Sequence, residues 1–203
     1  MSRYTGPRLR LARALGIDLP GLTRKSIERR PYPPGQHGQS RRKKSSEYKQ
    51  RLQEKQKLRF NYGLSEAQFS NLMKLAGRLA ANPAEKLVEL LERRLDNVVF
   101  RAGFGRTIPA ARQLVGHRHI LVDGKVVDRP GYRVRDGQVI SLHERSRTIE
   151  TILASRLDPG AQMPKWLDVD AASFSAKVTS APDHESLLVP VDLRLIVEYY
   201  ATR

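Results

Sequence analysis

From Phe69 the apolar residues Phe69, Leu72, Met73, Ala76 and Leu79 recur at intervals of three and four, the spacing that lines one face of an α-helix. Ser65 stands where the N-cap of that helix belongs. A second helix opens at Asn82-Pro83, with Pro83 at the tolerated first position and Glu85 placed for a capping box. Leu87, Leu91, Leu95 and Val98 line its inner face, and Gly103 and Gly105 end it, so the pattern predicts one helix running across Arg93 and Arg94. Thr107 caps a shorter helix, Ile108 to Val115, ended by Gly116.

The period then changes. Asp123-Gly124 between Ile120-Leu121-Val122 and Val126-Val127 is a strong two-residue hairpin signal. A second turn at Asp136-Gly137 precedes a strand from Val139 to Leu142. Phe174 to Val178 and Leu187 to Val191 read as further strands, and Asp192 caps a final helix, Leu193 to Tyr200. Earlier in the chain, Ser45 or Ser46 caps a helix that runs to Phe60 and stops near Gly63. Helices first and strands later make the fold class α+β.

Charge adds a second pattern. The 203 residues carry a net charge of +16. Residues 1–60 hold +13 and residues 93–147 hold +7, while 61–92 hold −1 and 148–203 hold −3. Two basic blocks of this strength imply a polyanionic partner. From Thr23 to Ser46 the first block has almost no apolar residues, but it has three prolines, two glycines and the run Arg41-Arg42-Lys43-Lys44. Such a segment is either a solvated arm or one that orders on nucleic acid, with phosphates replacing the missing core. On the helix that follows, Lys49 and Lys57 share one face, and Arg51, Lys55 and Arg59 another. With few acids nearby, that helix suits a place between phosphate strands.

The second basic block gathers chemistry where the chain reverses. Arg112 and Gln113 lie in the last turn of the short helix, His117, Arg118 and His119 follow it, and Lys125 sits past the hairpin. Guanidinium groups grip phosphate oxygens in pairs, and imidazole or amide groups reach ribose hydroxyls. The bland alternative is that His119 only packs or caps. Metal binding by His117 and His119 lacks further ligands, because His37, His143 and His184 are scattered and the chain has no cysteine. No metal and no cofactor are expected. Asp96, after Arg93-Arg94-Leu95, suits a salt bridge better than acid–base work. There is no nucleophile elbow and no phosphate-binding glycine loop, so no enzyme is expected.

No stretch approaches the roughly 18 apolar residues of a membrane span, and the start lacks a secretory apolar core. A cytoplasmic protein is expected.

Several motifs, in order, resemble the bacterial small-subunit ribosomal protein S4 family. They are Arg3-Tyr4-Thr5-Gly6-Pro7-Arg8, Pro33-Pro34-Gly35-Gln36-His37-Gly38 and Glu54-Lys55-Gln56-Lys57-Leu58-Arg59. The series continues with Glu92-Arg93-Arg94-Leu95-Asp96-Asn97, Ala111-Arg112-Gln113-Leu114-Val115 and Leu195-Ile196-Val197-Glu198-Tyr199-Tyr200. Because the first motif begins at residue 3, no transit peptide is expected before it. The resemblance implies an extended basic arm over 1–45 and a helical domain over 46–92 joined by the C-terminal helix 192–203. It implies an RNA-binding module of two short helices and an antiparallel sheet over 93–155, continued by sheet-containing residues 156–191.

The resemblance further implies direct binding to 16S ribosomal RNA, early nucleation of small-subunit assembly and a contribution to translational accuracy. Neighbouring small-subunit proteins are the implied partners, near the messenger RNA entry path, with no homo-oligomer. RNA contact then falls to Arg94, Arg106, Arg112, Gln113, His117, Arg118, His119 and Lys125 in the module. In the arm and basic helix it falls to His37, Arg41, Arg42, Lys43, Lys44, Tyr48, Lys49, Arg51 and Arg59. On this reading Arg112→Ala weakens RNA binding and leaves the fold intact.

Three departures stand out, the first being that the segment Arg156 to Ser186 matches the family more weakly. Some members hold zinc through cysteines in the arm, and this chain has none. The family's Ser-His-Gly-His is here Gly116-His117-Arg118-His119, with arginine where glycine's backbone freedom is usual. The same module occurs in RNA-modifying enzymes and tyrosyl-tRNA synthetases. The first need a catalytic aspartate in a Gly-Arg-Leu-Asp setting, whereas Arg93 precedes Arg94-Leu95-Asp96; the second need a His-x-Gly-His element, which is missing. A helix-turn-helix DNA binder would read bases with Ile108 to Val115, which offers few base-reading side chains.

Overall fold

The computed structural model describes residues 4–40, 45–170 and 172–201. The chain divides into two compact units, 1–87 with 188–203, and 88–187.

The first unit is helical. Helix α1 (Arg8–Leu15) has no clear counterpart in the periodicity, yet it ends on Gly16 in the left-handed conformation. Its Ala12 joins Leu19, Leu22 and Val189 in a small buried cluster, flanked by Ile27, Phe60 and Leu188. The basic N-terminal segment therefore has a modest core of its own. Helix α2 (Glu47–Asn61) begins at Ser46, whose hydroxyl accepts from Lys49 N–H, and α3 (Glu66–Leu79) begins with a complete Ser65–Gln68 capping box. Phe69, Leu72, Met73 and Ala76 are buried as expected, whereas Leu79, at the last turn of α3, is exposed.

The expected single helix after Pro83 is broken in two, α4 (Pro83–Glu92) and α5 (Leu95–Arg101). Arg94 between them is extended (φ −69°, ψ 136°). Backbone pairing to the segment 130–134 drives the break. Leu95 N–H donates to Tyr132 O (2.8 Å), Asp96 N–H to Pro130 O (3.0 Å) and Val134 N–H to Arg93 O (2.8 Å). These bonds take up groups that a continuous helix would use internally. Leu87, Leu91, Leu95 and Val98 are nevertheless all fully buried, so the apolar periodicity survives the interruption.

Helix α6 (Ile108–Gly116) starts at the Thr107 cap and Pro109. The sheet is antiparallel: β1 (Ile120–Val122), β2 (Lys125–Val126), β3 (Val139–Leu142), β4 (Leu167–Asp170) and β5 (Ser175–Val178), in the order β2-β1-β3-β5-β4. Asp123 (φ 49°) and Gly124 (φ 75°) form the β1–β2 turn, both left-handed as a type I′ turn requires. Ile120, Val122, Ile140, Leu142, Ala176 and Val178 alternate inward and build the core of this unit.

Helix α7 (Glu150–Leu157) and β4 complete the second unit, neither foreseen from the pattern. Leu187 to Val191 is not a strand. Leu188 and Val189 pack on the α1 cluster, and Pro190 lacks the N–H that a ladder needs. Helix α8 (Leu193–Ala201) follows, with Asp192 Oδ1 accepting from Arg194 N–H at 2.9 Å.

Candidate nucleic-acid interface

The end of α6 explains how the basic turn is held. His117 N–H donates to Gln113 O, Arg118 N–H to Val115 O (3.0 Å) and His119 N–H to Leu114 O (3.1 Å). The last two bonds define a Schellman motif, whose left-handed position favours glycine. Arg118 occupies it at φ 64°. Gly116 is the last helical residue rather than the stop. The motif turns His117 and Arg118 outward, where both are exposed, and feeds His119 directly into β1.

His119 is half-buried. Its Nδ1 lies 2.8 Å from the hydroxyl of Ser146, a buried residue that no sequence signal marks. Its carbonyl accepts from His143 N–H at 2.9 Å, and its ring lies 6.1 Å from that of His117. Burial, with the charges of His117 and His143, pushes the His119 imidazole below its ordinary range. Across the hairpin, Val139 N–H (2.9 Å) and the Gln138 amide (2.7 Å) hold the Asp123 carboxyl below the usual carboxylate range. Those two bonds fix the turn that presents exposed Lys125.

The arginines of this unit divide into held and projecting groups. Asp96, fully buried, accepts from Arg94 Nε (3.1 Å) and Nη2 (2.8 Å) and from Arg112 Nε (3.2 Å) and Nη2 (2.7 Å). The salt-bridge role expected of Asp96 is thus met twice. Arg94 is buried, and Arg112 is a half-buried partner in an ion pair rather than a purely outward group. The expectation that Arg112→Ala leaves the fold intact therefore concerns a residue that also helps to hold Asp96. Glu92 repeats the pattern, binding Arg101 (2.9 and 3.1 Å) and the Asn97 amide (2.9 Å), while Arg101 also donates to Ser186 O. The projecting arginines are Arg106, which donates to Ala154 O at 3.1 Å, and Arg118, whose pairing with Asp128 at 3.4 Å is an exposed one of small energetic weight; Gln113 is exposed as well.

In the first unit the cationic faces of α2 are less open than composition suggests. Arg51 pairs with Glu198 (2.9 Å) and Glu47 (3.4 Å), Lys57 with Glu54 (2.5 Å), and buried Lys55 with Glu66 (2.8 Å). Burial alone would raise the Glu66 carboxyl, but hydrogen bonds and charge from Lys55, with Tyr200 and Arg59, hold it below the usual range. Arg59 bonds Gln56 at 2.6 Å and stacks on Phe60 at 4.2 Å. The face Arg51–Lys55–Arg59 therefore meets protein, because α8 and α3 supply the acids distant in sequence. Lys49, Tyr48 and His37 remain exposed. Gly38, next to His37, has no room for a side chain, since a Cβ would collide with the Pro33 carbonyl. Arg41, Arg42, Lys43 and Lys44 lie outside the described residues.

Among the described residues no helix is long and apolar enough to cross a membrane, and no three His, Asp or Glu side chains are grouped to hold a metal ion. A helix pair leading into a hairpin-edged sheet, with basic residues and histidines at the junction, defines an RNA-binding module. The S4 domain model matches residues 93–140, and the ribosomal protein S4/S9 N-terminal domain model matches residues 3–92. Small ribosomal subunit protein uS4 of Methylobacillus flagellatus is 54% identical, and that of Synechococcus elongatus 53%. Protein uS4B of Nitrosomonas europaea is 50% identical, and all three alignments span the full length of both chains. The chain belongs to the uS4 family of small-ribosomal-subunit proteins, a structural rather than a catalytic family.

Proposed function

We propose that the protein is a structural constituent of the small ribosomal subunit that binds 16S ribosomal RNA directly, nucleates assembly and contributes to translational accuracy. The observation that carries this reading is the Schellman turn at the end of α6. It presents His117, Arg118 and His119 from rigid elements at the start of the β1–β2 hairpin whose turn end carries Lys125, within a chain that matches uS4 proteins over its whole length. The contact set is Arg94, Arg106, Arg112, Gln113, His117, Arg118, His119 and Lys125, with His37, Arg41, Arg42, Lys43, Lys44, Tyr48, Lys49, Arg51 and Arg59 in the first unit. Within it Arg94 acts through Asp96 by holding the shared carboxylate, while Arg106, His117, Arg118 and Lys125 reach phosphate and ribose.

In this reading residues 1–45 serve as a basic arm, 46–92 with 192–203 as the helical domain, and 93–155 as the RNA-binding module continued by 156–191. The protein works on cytoplasmic ribosomes beside neighbouring small-subunit proteins and near the messenger RNA entry path. It has no catalytic activity, takes no cofactor and forms no homo-oligomer. Co-sedimentation tests it: the protein should stay with small subunits through a high-salt wash, and its release into the supernatant together with turnover of a small metabolite would refute it.

A further inference from the structure

Arg147 differs from the other cations inside the second unit. Arg93, Arg94, Arg101 and Arg112 each meet a carboxylate within 3.1 Å. Arg147 is also half-buried, and its Nε is enclosed without a hydrogen-bond acceptor. It makes no ion pair with any described residue, and neighbouring Glu144 and Glu150 are both exposed. A partly desolvated guanidinium with no counter-charge is unfavourable unless an anion arrives from outside.

Beside it stands Phe174, at φ 55° a bulky residue in the left-handed region, where its Cβ crowds the backbone. The expected strand starts one residue later, at Ser175. Two guanidiniums lie against the Phe174 ring, Arg156 at 4.0 Å and Arg147 at 5.8 Å from its centroid. A strained aromatic that gathers two cations is the kind of outlier that marks a functional surface. Arg156 is partnered within the protein as well, and it faces the Asp170 carboxylate, which also accepts from Ala172 and Ser173 N–H in the β4–β5 turn; the cluster's claim to an outside anion therefore rests on Arg147.

The position of this cluster selects the partner. Leu142 and His143 are consecutive at the end of β3. Leu142 N–H donates to Phe174 O (3.1 Å), and His143 N–H donates to His119 O (2.9 Å). Phe174 and His119 thus flank the same end of one sheet. We infer that Arg147, Phe174 and Arg156 form a second RNA contact, in which two guanidiniums oriented by one ring grip backbone phosphate next to the His117–His119 turn. The inference rests on the RNA-binding reading and extends its surface toward β5 and α7.

The test uses the full chain and a 16S ribosomal RNA transcript, comparing wild type with Arg147→Gln, Arg156→Gln and the double variant across a salt series. Each lost phosphate contact should lower the slope of log affinity against log salt by about 0.7–0.9, so the double variant should fall by about 1.5. An unchanged slope beside normal wild-type binding overturns this contact and leaves the broader reading intact. Failure of wild type to bind overturns both. An unchanged slope with poor incorporation into subunits would assign the cluster to a protein neighbour, and so contradict the inference. Should the glutamine variants fail to melt cooperatively, ultraviolet crosslinking of wild type decides: an RNA adduct on the Phe174 peptide supports the contact, and its absence beside adducts at the His117–His119 turn refutes it.

Discussion

Asp96 holds two guanidiniums with one carboxylate, and that bears on every arginine assigned to RNA. With Asp96 gone, Arg94 is left buried without a counter-charge, a change of about 3–5 kcal/mol. Asp96→Ala should therefore lower the urea-unfolding free energy by that order, and a loss within about 0.5 kcal/mol, the range of an ordinary surface change, would show the pair to be structurally idle. Arg112→Ala leaves Arg94 on the carboxylate and should cost less, about 1–3 kcal/mol, so its effect on RNA affinity needs a stability control beside it. His119 gives a second residue-scale prediction. Its imidazole is held below the ordinary range of about 6.5, so the unfolded chain takes up a proton more readily than the native one. The resulting contribution to stability is fully present above pH 6.5 and is lost as pH falls through the native value. His119→Gln should flatten the pH dependence of the melting midpoint between pH 7 and 5; an unflattened profile would place the titration elsewhere.

At the scale of elements, the Schellman turn is the feature on which presentation of the basic residues depends. A side chain in the left-handed region is strained by about 1–2 kcal/mol, part of which glycine offsets through its own greater freedom when unfolded. Arg118→Gly should raise stability by about 0.5–1 kcal/mol while weakening RNA binding and lowering its salt slope. A gain in both, or a loss in both, would mean that Arg118 is not a strained phosphate contact. Much at this scale was legible in the sequence. The Ser65 cap, the Asp123-Gly124 turn and the 139–142 strand follow from short-range rules, because the residues that decide them are neighbours. The break at Arg94 was not legible, since the groups that interrupt the helix lie near residue 132 and the apolar spacing passes through the gap unchanged. The same holds for α2, whose acids, Glu66 and Glu198, come from elsewhere in the chain. Leu187 to Val191 misled for the opposite reason: its apolar residues fill a small core without joining a ladder.

Across the whole molecule, the charge that drives the functional reading is partly spent inside the protein. Arg51, Lys55, Lys57, Arg94, Arg101 and Arg112 are engaged by carboxylates, so the +16 of the sequence overstates what reaches a partner. What remains exposed at the end of α6 and around the hairpin is compact, fixed by backbone bonds, and backed by a family match over the full length of the chain. Selectivity should therefore come from the shape of folded RNA and its 2′-hydroxyls rather than from charge alone. The most direct measurement is a filter-binding titration of the full chain against 16S ribosomal RNA and unrelated duplex DNA, each at several salt concentrations. Binding to the RNA should persist near 0.2 M salt, where the DNA falls to the weak range of about 10⁻⁴–10⁻⁶ M expected of charge alone. Equal affinity for the two at every salt concentration would contradict it.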